Sequence, residues 1–149
     1  LKNIPNKMKI LFVCRVNIFR SQIAAALFKK LCPSANVKSA GTLISENKEG
    51  QKLGERLDSN TKFVIEVLKE EGIDVSENKR RVLTEKMVGW ADKIICMAER
   101  ETIPEYLLQS GKIEYWHVED AYEGVGYDFF VDAKERIRKK VEKLAKEVC

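Results

Sequence analysis

The chain has 149 residues, 44% of them hydrophobic and 34% charged, which suits one globular domain with a real core and not a disordered, collagenous or membrane-spanning protein. Its net charge of +4 suits anionic substrates, but Lys and Arg are interspersed with Glu and Asp, and no aromatic residues interleave a basic run, so no nucleic-acid partner is expected. Four cysteines without a CxxC pair, and a single histidine, His117, speak against a metal site.

No hydrophobic run approaches the length of a membrane span and no signal peptide is visible. The expected setting is therefore a reduced, cytoplasmic one, with no membrane partner. Residues 1–7 precede Met8 and read as a flexible extension; residues 8–149 read as a single domain.

Lys9 to Val13 is a continuous apolar run after its first residue, as in a strand buried on both faces. Cys14 follows, then five residues, then Arg20 and Ser21 at the start of a helical period with Ile23, Ala24, Leu27, Phe28 and Leu31 on one face. A Cys and an Arg six positions apart mean little alone. On a strand–loop–helix unit they describe an oxyanion cradle, in which loop N–H groups and the helix N-terminus point at one anion. Arg20 is placed to grip two of its oxygens, and Cys14, at the floor, is a nucleophile aimed at phosphorus.

Pro33 and Ser34 end that helix, and Asn36 to Ser39 reads as a second strand, parallel to the first, leading into Ala40-Gly41-Thr42. Residues 43–58 read as a long loop. Ser59 to Glu71 reads as a helix closed by Gly72, and Thr84 as the cap of a short one. Ile94 to Met97 is a third strand, Glu99 to Gln109 a helix stopped by Gly111, and Ile113 to Val118 a fourth strand. After an acidic loop over 119–128, a last helix runs from Phe130, with Ala133, Ile137, Val141, Leu144 and Val148 on one face. Cys32 and Cys96 read as core residues, and Cys149 as a loose chain end.

The alternation predicts an α/β fold: a three-layer sandwich with a four-stranded parallel sheet flanked by helices, and a phosphate-binding loop after the first strand. In such sheets ligands bind beyond the strand C-termini, which gathers Cys14, the Ser39–Thr42 turn, Met97-Ala98 and Glu119-Asp120 on one edge.

These residues resemble the low-molecular-weight protein tyrosine phosphatases and the related thioredoxin-linked arsenate reductases. The family signature Cys-x-Gly-Asn-x-x-Arg-Ser stands here as Cys14-Arg15-Val16-Asn17-Ile18-Phe19-Arg20-Ser21. Val37 to Thr42, Glu71 to Ser76, Ala91 to Met97 and Val118-Glu119-Asp120 look like the family's later segments, in order. The resemblance implies that Cys14 attacks phosphorus to form a phosphocysteine. Arg20 and the loop from Arg15 to Ser21 (Arg15, Val16, Asn17, Ile18, Phe19 and Ser21) bind the phosphate. It also implies that Asp120 protonates the leaving group and then activates water, with Glu119 the fallback. Ser21 would bond the thiolate, and Asn17, in a left-handed conformation, would brace the loop with Ser39 in its network. Neither a cofactor nor a metal is implied. Tyr122 is either a wall of the mouth for an aromatic substrate or an exposed loop tyrosine.

The chain also departs from the pattern. The usual loop glycine is Val16, the second loop cysteine of the phosphatases is Phe19, the proline after Arg-Ser is Gln22, and the proline after the acid is Ala121. Three functions remain in play. The first is a phosphomonoesterase of the protein tyrosine phosphatase kind, acting on a phosphorylated protein or a small phosphate ester. The second is an arsenate reductase that borrows an external thiol, since no cysteine occurs in the ten residues after Cys96. The third is a catalytically weak phosphate-binding module. Oligomeric state cannot be read from the sequence.

Overall fold

The computed structural model describes residues 7–44 and 48–149. The expected extension therefore lies outside the described residues except for Lys7, and so does the 45–47 part of the expected loop. The strands are β1 (Lys9–Cys14), β2 (Asn36–Gly41), β3 (Lys93–Cys96) and β4 (Ile113–Tyr115). The helices are α1 (Arg20–Leu31), α2 (Ser59–Lys69), α3 (Glu85–Trp90), α4 (Glu105–Leu108) and α5 (Tyr127–Val148).

All pairings within the sheet are parallel and the strand order is β2-β1-β3-β4, as expected of a four-stranded parallel sheet between helices. The apolar run of β1 serves both faces in turn. Ile10, Phe12 and Cys14 face the core shared with α1, α2 and α5, whereas Leu11 and Val13 face the smaller core under α3 and α4. Cys14 thus ends the central strand on the α1 side, directly below the loop that enters α1.

Local chemistry explains the element ends. Thr84 Oγ1 accepts from the Met87 N–H (3.2 Å) and caps α3 as expected. Asp58 caps α2 in the same way. Gly72 takes a positive φ of 80° at the close of α2. α5 begins at Tyr127, three residues before its expected start.

Two expected elements differ. Glu99 to Gln109 is not one helix but a 3₁₀ turn at Arg100–Thr102 followed by α4. Pro104 lacks an N–H and disfavours helical torsions at Ile103, which sits at φ −83°, ψ 122°. β4 stops at Tyr115 instead of Val118, because its partner β3 ends at Cys96. Residues 116–118 continue toward the loop without a strand beside them.

The cysteines differ too. Cys32 is buried, as expected, but it is bonded to Cys149, so the chain end is tied and the thiol set is not fully reduced. Cys14 and Cys96 are the free, buried cysteines.

Candidate active site

The loop between β1 and α1 is turned inside out relative to an ordinary turn. Its carbonyls point outward and are spent: Cys14 O accepts from Thr42 N (2.9 Å), Arg15 O from Leu43 N (2.8 Å), and Phe19 O from Ile23 N (2.9 Å). Val16 O accepts from Arg80 Nε (3.1 Å) and Nη2 (2.9 Å), and Asn17 O from Gln22 Nε2 (3.1 Å). The N–H groups of Arg15 to Arg20 have no acceptor among the described residues. A run of unspent N–H groups leading into a helix N-terminus is the makings of an anion nest. Close packing around it also explains Gly41, where a Cβ would sit 2.8 Å from Arg15 O.

Asn17 is the loop's conformational pivot. It is fully buried, and its φ of 57° makes it the one non-glycine residue with positive φ among the described residues. Its Nδ2 donates to Ser21 Oγ (2.7 Å) and Ser39 Oγ (3.0 Å), and its Oδ1 accepts from Arg81 N–H (2.8 Å). Ser21 Oγ lies 3.0 Å from Cys14 Sγ. A single chain of hydrogen bonds therefore runs from β2 through Asn17 and Ser21 to the thiol.

Arg20 is 1% exposed at the first turn of α1. Glu99 holds both its terminal nitrogens, Oε2 to Nη1 (3.0 Å) and Oε1 to Nη2 (3.1 Å), and Nη1 also donates to Met97 O (2.6 Å) and Val118 O (3.0 Å). Asp120 Oδ2 is 3.1 Å from Nη2. Burial by itself would lower the Arg20 pKa, but the Glu99 bond and the charges of Cys14 and Asp120 raise it on balance. Burial likewise pushes Glu99 up, and its bond to Arg20 outweighs that and lowers it. Arg20 Nε remains a buried donor without a partner among the described residues. The expected two-pronged grip on an oxyanion thus has one prong free, and the second requires Nη2 to let go of Asp120.

The family departures have visible consequences. Val16 has no positive φ to adopt, because the loop's left-handed residue is Asn17. Phe19 turns its ring into the core, edge-on to Phe130 (5.1 Å between centroids) and against Phe129 (5.8 Å), so only its backbone faces the nest. Gln22 is buried and links Asn17 O to Asn78. Ala121, in place of a proline, supplies an N–H that donates to Asp120 Oδ1 (2.9 Å). Arg15 is exposed at the rim, Ile18 is buried, and Glu119 is exposed. Tyr122 is 65% exposed, its ring 6.3 Å from that of Phe129.

Glu99 and Arg80 are site residues that the sequence reading missed. The sequence places Glu99 at an expected helix start, yet its position just past the β3 C-terminus is where such sheets place ligand-binding groups. Arg80 had only its basic neighbour Arg81 to single it out. It is 4% exposed, and burial, then repulsion from Arg56, lowers its pKa. Behind Arg20 a cleft of about 770 Å³ is lined by Glu99, Trp116, His117, Glu119 and Asp120 among others.

A family model described as low molecular weight phosphotyrosine protein phosphatase matches residues 9–149. Among curated relatives, a probable low molecular weight protein-tyrosine-phosphatase EpsP of Ralstonia solanacearum is 32% identical over 122 residues, 76% of this chain and 77% of its own. A protein-arginine-phosphatase of Geobacillus stearothermophilus is 36% identical over 90 residues, 60% of this chain and 53% of its own. Among solved structures, Vibrio vulnificus Wzb in complex with benzylphosphonate superposes with a TM-score of 0.76 at 28% identity, covering 94% of this chain and 98% of that one. A thioredoxin-dependent arsenate reductase of Corynebacterium glutamicum shares the fold, with a TM-score of 0.69 at 24% identity over 97% of this chain and 64% of that one. With its signature loop, its parallel sheet and a match over nearly its whole length, the chain belongs to the low molecular weight protein-tyrosine-phosphatase family of enzymes.

Proposed function

We propose that this chain hydrolyses phosphate monoesters through a phosphocysteine on Cys14, with phosphotyrosine in proteins as the preferred class and residues 8–149 as one catalytic domain. The observation that carries the reading is the run of unspent N–H groups from Arg15 to Arg20 above a thiol bonded to Ser21. In the first step the Cys14 sulfur attacks phosphorus as the P–O ester bond breaks, and the Asp120 proton goes to the departing phenolate. In the second, Asp120 takes a proton from water, the water oxygen attacks phosphorus, and the S–P bond breaks to return the thiolate and release phosphate. The loop N–H groups and Arg20 hold the equatorial oxygens throughout. Neither step calls for a metal or cofactor.

The position of Asp120 on Arg20 Nη2 couples binding to acid release. An arriving oxyanion satisfies Arg20 Nε and competes for Nη2, which frees Asp120 for the leaving oxygen. An arsenate reductase here would depend on an external thiol. Cys96 packs in the core on the opposite face of the sheet from Cys14, and burial pushes its thiol pKa up, the wrong direction for a resolving thiol.

The test is hydrolysis of an aryl phosphate, a phosphotyrosine peptide and a phosphoarginine peptide in chelator, with Cys14→Ser and Asp120→Asn beside the parent. Turnover of the two aryl esters, abolished by Cys14→Ser and cut about a hundredfold by Asp120→Asn, is expected. Preference for phosphoarginine transfers the substrate class to that of the Geobacillus relative. Phosphate binding without turnover makes the chain a binding module, and arsenate-dependent thiol oxidation makes it a reductase. The cytoplasmic setting belongs to the same proposal; cell fractionation should find the chain with cytosolic markers.

A further inference from the structure

β2 is an edge strand, and among the described residues its outer main-chain groups are bonded only at its end. There Gly41 donates to Arg81 O (2.8 Å) and accepts from Leu83 N–H (2.9 Å), a parallel bridge to Val82. Main-chain groups alternate sides along a strand, so Val37 and Ser39 present their N–H and C=O to the same outer side as Gly41. The inward register agrees: Asn36 N–H donates to Met8 O (2.9 Å) and Thr42 N–H to Cys14 O (2.9 Å). No described residue bonds the outward groups of Val37 or Ser39. An open edge of this kind is a template for an added strand.

A groove follows this edge. One stretch of about 430 Å³ lies between α1 and residues 73–78, over Ala25, Ala26 and Val37. A second of about 550 Å³ continues to Arg81, and the two share Gln22, Lys38, Ser39 and Asn78. Lys29, Lys30, Lys38, Lys79 and Arg81 line it, against Asp74 and Glu77. Lys29 and Lys30 donate to carbonyl oxygens and Lys38 lies over the Trp90 ring (4.4 Å), so none of those three charges is neutralised by a carboxylate among the described residues, whereas Arg81 is paired with Glu49 (2.9 Å). Glu77 is already paired with Lys52. On the other flank of the loop, the cleft behind Arg20 sets Glu99, Glu101, Glu119 and Asp120 beside Arg20, Arg100 and Arg136, and so lacks the groove's excess of cations.

Resting on the phosphatase reading, we propose that the β2 edge docks an extended, acidic segment of the substrate protein, beside its phosphorylated residue, as an added strand. The groove begins at the catalytic loop itself. Ser39, which lines it, accepts from Asn17, and Gln22, which also lines it, donates to Asn17 O. Main-chain pairing at Val37 and Ser39 gives affinity without sequence, and the lysines select acidic side chains.

The test separates docking from catalysis. An unphosphorylated, Asp/Glu-rich ten-residue peptide is titrated into the protein by NMR. The Val37 and Ser39 amides are expected to shift. The shifts should vanish in the Lys38→Glu/Lys79→Glu double variant and with a peptide N-methylated at alternate residues, which keeps its charge but loses its strand donors. In turnover, the double variant should raise KM for an acidic-flanked phosphotyrosine peptide about tenfold, with kcat and aryl phosphate hydrolysis unchanged. Loss of aryl phosphate hydrolysis in the parent would count against the phosphatase reading alone. Absence of shifts at Val37 and Ser39, shifts indifferent to N-methylation, or an unchanged KM in the double variant overturns the docking proposal.

Discussion

Asn17 shows how much one side chain can carry. It combines a left-handed backbone with three hydrogen bonds that join β2, the Arg81 main chain and Ser21. Glycine at this position keeps the torsion and loses the bonds; alanine loses both. Asn17→Gly should destabilise the protein by about 2 kcal/mol, through the orphaned Arg81 N–H and the lost donors, and Asn17→Ala by about 1 kcal/mol more, read as denaturation midpoints. Both variants should lose turnover alike, because the Ser21–Cys14 contact depends on the bonds and not on φ. Glu99 acts one step further out, through Arg20. Glu99→Gln removes a charge and half of the two-point grip, so Arg20 is no longer held in one pose. A loss of about tenfold to a hundredfold in kcat/KM, with Tm lowered only modestly, is expected in steady-state kinetics.

Between elements, the helix layer on the Cys14 side is locked by a charge cluster that no single segment reveals. Glu71, just past α2, receives Lys134 (Nζ to Oε2, 2.9 Å) and Arg138 from α5, while its carbonyl accepts from Lys30 of α1 (2.6 Å). The Lys134 hydrogen bond first, and then that from Arg138, hold the Glu71 carboxyl at about 2 against 4.5 unperturbed. A carboxyl lowered in the fold contributes stability that is fully present above its unfolded pKa and is lost as pH falls toward the folded one. Unfolding followed from pH 7 to pH 2 should therefore show Glu71→Gln costing about 1 kcal/mol at neutral pH, with the difference closing between 4.5 and 2. The same layer carries Phe19 against Phe129 and Phe130, which is how the loop is held to α5.

Across the whole molecule, α1 and α5 run from the loop to the opposite end, where Cys32 at the α1 C-terminus and Cys149 at the chain end are bonded with Cα atoms 6.2 Å apart. The bond closes 117 residues, and the chain-entropy account assigns about 5 kcal/mol to a loop of that length. The Cys32→Ser/Cys149→Ser variant should unfold at lower denaturant by about that amount and keep its activity, since Cys14 takes no part. A thiol titration of the unfolded, unreduced protein should find Cys14 and Cys96 alone. The sheet, the anion loop and the parts of the network at Cys14, Asn17, Arg20, Ser21 and Ser39 were legible in the linear order. Hydrophobic period and local torsional preference are short-range properties, and β1, the loop and α1 are contiguous. Pro104 was legible as well, and reading its effect on Ile103 would have split the expected helix. The Glu99 clamp, the Arg80 prop, the Cys32–Cys149 bond and the open edge at Val37 and Ser39 were not legible. Each joins segments far apart in the chain, or depends on which neighbour a strand lacks, and sequence spacing carries no information about either. At the opening loop, the order of residues determined what could bind, and the packing of α5, β3 and residues 80–82 around it decided which of its donors are free to bind.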